Sequence, residues 1–256
     1  MFASRVAVCS AESLVATVGF LPPGDAMTHL LPIILRFLRG DDVPEVRLKV
    51  LESLHNVAAV VGERALEGEL LPALEQLAGD QQWRVRLKVV EQMPMLAERL
   101  GPDVFEARLL NLFLGMLQDE VHAVRVAASS QLATLAEHMG ASWCDTRLRP
   151  KLEALYNSGR SYLQRITVLY AVRSLANREE LGPMLSMLIP ILVDATQDRV
   201  PNVRFVAAQV LEVVGKVVDS EVIDRELRPA LDRLVGDADG DVRHFAQVAA
   251  RNVSPA

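Results

Sequence analysis

Apolar residues recur at helical spacing along the chain. Leu70, Leu71, Leu74 and Leu77 make one stripe, and Val85, Val89, Val90, Met93 and Leu96 make the next. Breakers bound each stripe: Ala78-Gly79-Asp80 follows the first and Leu100-Gly101-Pro102 the second. The first stripe of a pair opens near a Leu-x-Pro step, seen at Leu30-Leu31-Pro32, Leu70-Leu71-Pro72, Leu148-Arg149-Pro150, Leu188-Ile189-Pro190 and Leu227-Arg228-Pro229. Proline is tolerated in the first turn of a helix, where its missing N–H has no partner anyway, so the step predicts a helix start. No segment sustains an alternation of period two. The pattern predicts an all-α chain of two-helix hairpins with almost no strand.

The second stripe of each pair opens with a repeated phrase. Val-Arg stands at Val46-Arg47, Val85-Arg86, Val124-Arg125, Val203-Arg204 and Val242-Arg243, and the arginines are 39 residues apart wherever two of these units adjoin. One more unit, marked by Arg165, fills the longer gap. Neither helix of such a unit buries its stripe alone, so successive units must stack into a solenoid. The predicted organisation is one continuous repeat domain over 1–256: a partial repeat at 1–27, then repeats 28–66, 67–105, 106–144, 145–184, 185–223 and 224–256. Val6 to Leu21 reads as a second helix without its first.

A second regularity rides on the first. An Asp stands six residues before the Arg in Asp41/Arg47, Asp80/Arg86, Asp119/Arg125, Asp198/Arg204 and Asp237/Arg243. Stacking puts these residues in a column. The expectation is that each carboxylate accepts from backbone or Arg donors of its own or the adjacent unit, fixing the turn and the rotation between repeats. The unit around Arg165 has Ser158-Gly159 where the Asp would stand, which predicts a different turn there.

Composition narrows the function. The chain has 256 residues, 50% hydrophobic, enough for a sizeable core. Its net charge of −6 gives no general basic footprint for nucleic acid. Cys9 and Cys144 lie far apart, which fits a reducing compartment, the cytoplasm or nucleus, rather than a disulfide framework. Apolar runs are too short to span a membrane, and the first ten residues do not read as a signal peptide.

Catalytic and ligand signatures are missing. The histidines at 29, 55, 122, 138 and 244 make no H-x-x-x-H pair, and no P-loop, G-x-S-x-G or dinucleotide fingerprint occurs. Asp237, Asp239 and Asp241 alternate as calcium ligands do, but Val242 and Val248 stand where that loop needs Gly and Glu. His138 and Cys144 lack a third partner. No catalytic residue, metal or cofactor is expected.

The segments Pro44-Glu45-Val46-Arg47-Leu48, Trp83-Arg84-Val85-Arg86-Leu87, Tyr162-Leu163-Gln164-Arg165, Asn202-Val203-Arg204-Phe205 and Phe245-Ala246-Gln247 resemble HEAT repeats. As an ordered set over essentially the whole chain they resemble the C-terminal half of the structural A (scaffold) subunit of protein phosphatase 2A. The resemblance implies a non-catalytic HEAT-repeat scaffold about half the family's length. Its intra-repeat turns would bind the phosphatase catalytic subunit, and most of the surface for a regulatory B-type subunit would be absent. It marks Trp83 and Arg84 first, then Val121, His122, Tyr162, Gln164, Pro201 and Asn202 as partner-binding. His122 and His244 depart from the Tyr more usual there.

Each of these residues also fits an ordinary structural role. Trp83 lies where the stripe needs no aromatic, so an interface anchor competes with local packing over the next turn, and the other turn residues could equally be solvated. Trp143 reads as inter-repeat packing, and Met93, Met95, Met184 and Met187 as core. A generic HEAT adaptor for nuclear transport or complex assembly remains open. So does a HEAT-like DNA-repair glycosylase, though that needs a basic groove which the acidic balance argues against.

Overall fold

The computed structural model describes residues 2–17, 20, 22–40, 43–158, 161–176 and 181–253, with the side chains of all of these but 2–8, 15, 23, 40 and 182–184. The described residues are helical with no strand, and they form an all-α repeat solenoid. The second helices are Pro44–Glu52 continued by Leu54–Val61, Trp83–Val104 up to its break at Gly101, His122–Met139, Tyr162–Ala176, Pro201–Val214 and Gly240–Asn252. A helix at Phe2–Thr17 precedes them. Leu21, the expected end of that element, lies outside the described residues.

The first helices depart from the sequence expectation. They begin before the Leu-x-Pro step, not at it. In the clearest case a turn at Glu63–Ala65 leads into a π-helical turn at Leu66–Leu70, and only then comes the α segment Leu71–Leu77 with Pro72 at its start. The same π turn recurs at Ala26–Leu30, Phe105–Leu109, Cys144–Leu148 and Ile223–Leu227. The wider turn lets the chain run on through a proline that cannot donate its helical hydrogen bond. Proline is not its cause, however, because Phe105–Leu109 precedes Asn111. Conversely, Pro190 lies inside the uninterrupted helix Gly182–Ala195.

Glycine sets the joints. Gly62, Gly101 and Gly140 have φ of 79°, 76° and 82°, and no other described residue has positive φ. They stand 39 residues apart, each at the point where a second helix gives way to the next first helix. A side chain there would be forced into the left-handed region.

The chain divides into two compact units, 1–131 and 132–256. In the first, Phe2–Thr17 packs on Pro44–Glu52, which packs on Trp83–Val104, while Leu31–Gly40 packs on Leu71–Leu77. Leu51, Leu54, Leu70, Leu74, Met93, Phe105 and Phe113 are fully buried in its core. In the second unit Tyr162–Ala176 packs on Pro201–Val214, and that helix on Gly240–Asn252. Leu169, Val172, Leu192, Val210 and Leu211 fill its core. One core assignment is corrected. Met187 is 45% exposed, because Leu185, Leu188, Ile189 and Leu192 carry the buried stripe of its helix. Met93 is buried, Met95 half-buried, and the Met184 side chain lies outside the described residues.

Candidate interaction site: the turns between paired helices

The turns are built on arginine–aspartate rungs that join neighbouring repeats. Arg86 donates from Nε to Asp119 Oδ2 at 2.7 Å and from Nη2 to Oδ1 at 2.8 Å. Arg204 grips Asp237 in the same way at 2.6 and 2.8 Å, and Arg165 grips Asp198 at 2.6 and 3.1 Å. Arg47 Nε lies 3.0 Å from Asp80 Oδ2, and its Nη2 donates to Oδ1 at 3.4 Å. In every rung the Asp comes 33 residues after the Arg, so the carboxylate's partner is the arginine of the preceding repeat.

The six-residue spacing has a separate job. Arg86 Nη1 donates to the Asp80 carbonyl at 2.7 Å, Arg125 to Asp119 at 2.7 Å, Arg204 to Asp198 at 2.8 Å and Arg243 to Asp237 at 2.7 Å. Each carboxylate also accepts from the N–H two residues on: Gln82, Val121, Val200 and Asp239, all at 2.8 to 2.9 Å. One Asp thus ties its own turn, the Arg before it and the Arg after it. Asp41 lies outside the described residues.

The charge state follows the geometry. The Arg204 guanidinium holds the Asp237 carboxyl below the usual range, against its burial. Burial pushes Asp119 up, but Arg86 and the Val121 N–H together outweigh it and hold that carboxyl low as well. The hydrogen bonds that Arg86 and Arg204 donate to Asp119 and Asp237 raise the two guanidinium values in turn.

Asp239 caps the last helix, accepting from Asp241 N at 3.0 Å and Val242 N at 3.1 Å. The alternating Asp237 and Asp239 therefore order a turn. Among the described residues no group of three His, Cys, Asp or Glu side chains could hold a metal, and no helix is long and apolar enough to cross a membrane.

On this frame the candidate residues sit as follows. Trp83 is half-buried at the first position of its helix, with the Arg84 guanidinium stacked over its ring 4.5 Å from the centroid. Val121 is half-buried and His122 exposed in the next turn. In the second unit Tyr162, Pro201 and Asn202 are exposed. Gln164 turns its carbonyl back to the Ser161 N–H at 3.3 Å, and Ser161 Oγ accepts from Leu163 N at 3.2 Å. This reciprocal cap replaces an Asp-built turn, and Ser161-x-x-Gln164 was its legible signal. Gly159 lies outside the described residues.

Three further placements matter. Arg108 grips Glu75 with two bonds of 2.6 and 2.8 Å, again 33 residues apart, so the first helices carry a rung that only the same arithmetic would have revealed. Trp143 is half-buried with its Nε1 buried and unbonded. Cys144 is buried, its thiol 3.6 Å from the Ala136 carbonyl and pushed up to about 11 by burial, while His138 is exposed.

Comparison with known proteins agrees with the repeat architecture. The HEAT repeat family model matches residues 30–61 and 109–139. A model described as the Vacuolar 14 Fab1-binding region matches 163–254. The chain is 41% identical over 59 residues to the serine/threonine-protein phosphatase PP2A 65 kDa regulatory subunit of Drosophila melanogaster, 23% of this chain and 10% of that protein. It is 35% identical over 118 residues to the A-type regulatory subunit of protein phosphatase PP2A from Saccharomyces cerevisiae, 42% of this chain and 18% of that one. These similarities cover short stretches rather than the whole chain, and both relatives are regulatory subunits rather than enzymes. Among solved structures the karyopherin Kap121p, crystallised with the SUMO protease Ulp1p, aligns over 98% of this chain and 28% of its own with a TM-score of 0.68 at 14% identity. At that identity it speaks for the fold alone. The rungs, the hairpins and these matches together make the chain an all-α solenoid that carries HEAT repeats and is similar, over short stretches, to the scaffold subunits of protein phosphatase 2A.

Proposed function

We propose that the chain is a non-catalytic scaffold whose inter-helix turns bind the catalytic subunit of a type 2A Ser/Thr phosphatase and hold it for a regulatory B-type subunit. The observation that carries this reading is the Trp83–Arg84 pair, an aromatic with a stacked cation at the tip of a turn that rungs lock on both sides. Buried aromatic and Arg anchors dominate interface energies when their surroundings are pre-organised. The partial similarity to regulatory subunits of phosphatase 2A supports this choice of partner. Bringing enzyme and regulator together raises their effective concentration without new chemistry. The test is capture of a type 2A catalytic subunit by the full chain and by Trp83→Ala. A loss of about 2 kcal/mol, roughly 30-fold, is expected for an anchor. Equal affinity of the two proteins would reject the site, and no capture by the parent would reject the partner.

The match at 163–254 supports a second reading, an adaptor whose last repeats bind a Fab1-type protein. The same capture assay run with Fab1 separates the two.

A further inference from the structure

The turns are not the only organised surface in the second unit. Leu163, 44% exposed, begins a stripe that continues through Ile166 and Tyr170 on the helix Tyr162–Ala176, at spacings of three and four. Counting from each Arg, the equivalent of Ile166 is Phe205 on Pro201–Val214, also half-buried, while the exposed His244 holds that position on the last helix. Phe205 meets Phe245 of Gly240–Asn252 edge to face, with ring centroids 4.7 Å apart. Val248, one turn further, is half-buried too. The three helices pack side by side, so these six residues, three of them aromatic, form one mainly apolar strip with the half-buried Gln209 in its middle helix. It starts at the turns and runs along the helices.

The far end of this face is basic. Arg173, Lys216 and Arg251 are exposed there. Arg173 and Arg251 make no ion pair among the described residues. Glu212, a carboxylate at that end, is already engaged, accepting from Asn252 Nδ2 at 2.7 Å with Lys216 Nζ 3.8 Å away.

An apolar strip that leads from the turns to exposed cations has a polarity, and a ligand that fits must have the complementary one. We propose that this face docks an amphipathic helical segment of a protein partner, with its apolar side on Leu163, Ile166, Tyr170, Phe205, Phe245 and Val248 and an acidic end against Arg173 and Arg251. Aromatic side chains supply contact area at small entropic cost, and the rim cations select the sign and direction of the segment. The surface is distinct from the Trp83 turn and stands whether or not a phosphatase is the partner.

The test uses the full chain and a synthetic amphipathic helical peptide with Leu and Phe on one side and Glu at one end, read by fluorescence anisotropy. A matched peptide with Lys in place of Glu is the comparison. The Glu peptide is expected to bind, to weaken about tenfold in R173E/R251E and to lose further affinity in salt. It should also shift the methyl resonances of Leu163, Ile166 and Val248. The exposed Leu163→Ser weakens it without disturbing the core. No binding of the Glu peptide, equal binding of the Lys peptide, equal affinity of the charge-reversed chain, or methyl shifts confined to other residues each overturns the proposal. So does capture of the chain by anionic phospholipid vesicles through the same methyls in place of the peptide.

Discussion

Asp119→Asn isolates the rung. The substitution keeps the size of the side chain and one carbonyl oxygen, which stays on the Val121 N–H at 2.8 Å. The other position becomes an amide NH2 pointed at Arg86 Nε, now 2.7 Å away as donor against donor. The two side chains keep only 10% and 9% of their exposure, so Arg86 becomes a nearly buried cation left with the retained Oδ1 at 2.8 Å from Nη2, the turn carbonyls of Asp80 and Gln81, and the exposed Glu120 at 3.5 Å. Removing one partner of a buried pair costs about 3–5 kcal/mol, and the residual exposure puts this rung at the low end, about 3 kcal/mol. On a protein of this size that is roughly 6–12 °C in Tm.

Acid supplies an internal check on that figure. The folded Asp119 carboxyl is held below its ordinary value. Its stabilisation is therefore fully present above the unfolded value, about pH 4, and disappears as pH falls through the lower folded value. The gap in Tm between parent and variant should be open at pH 7 and closed in strong acid, where the parent's Asp119 is protonated as well. Circular dichroism melts across that range measure it. A variant within about 0.5 kcal/mol of the parent at pH 7, the scatter expected of surface changes, would refute the view that the rung holds the repeats in register. So would a gap that does not depend on pH.

Other substitutions probe separate parts of the fold. Gly215→Ala places a Cβ 2.8 and 2.9 Å from the two Val253 methyl carbons and 3.2 Å from the Leu211 carbonyl, so overpacking of about 1–3 kcal/mol is expected in urea melts, relieved by pairing it with Val253→Ala. Gly101→Ala meets no atom within 4 Å, so its cost is the left-handed backbone alone, about 1–2 kcal/mol; a neutral effect would show that the joint relaxes. Native protein should give one fast thiol with a disulfide reagent, the exposed Cys9, because Cys144 is buried and its thiol is pushed up to about 11; two fast thiols would contradict that burial.

The period and the helical stripes were open to reading because both repeat, and repetition is what a sequence displays best. The Asp and Arg columns were visible for the same reason. Their pairing was left open, because a spacing of six within one unit does not say whether the Arg partner belongs to the same unit or to the adjacent one. The structure gives the carboxylate to the preceding arginine, 33 residues back, and leaves the six-residue pair a main-chain contact. Thirty-three is the period of 39 less those six, so the stacking converts one sequence spacing into the other. The π turns were illegible: the same turn precedes Pro72 and Asn111, so no residue type announces it. Trp83 was visible as an aromatic out of place, yet the Arg84 stack over it is a rotamer choice that no spacing specifies.

The two kinds of residue in each turn answer different demands, and that division explains why the repeats can vary at all. Asp and Arg fix the turn through bonds to backbone and to each other, and none of these bonds uses the side chains at the tip. Trp83, His122, Pro201 and Asn202 are thus free to differ without disturbing the rungs beneath them. Where the Asp is missing, Ser161 and Gln164 rebuild the turn from local caps, and Gln164 is drawn from the tip into the frame. That turn then presents mainly Tyr162 and Leu163, 39% and 44% exposed, and these lie at the head of the apolar strip on the second helices. The frame of this turn is thus rebuilt by a different pair of side chains, while its outward positions stay as independent of the frame as those of Trp83 and His122.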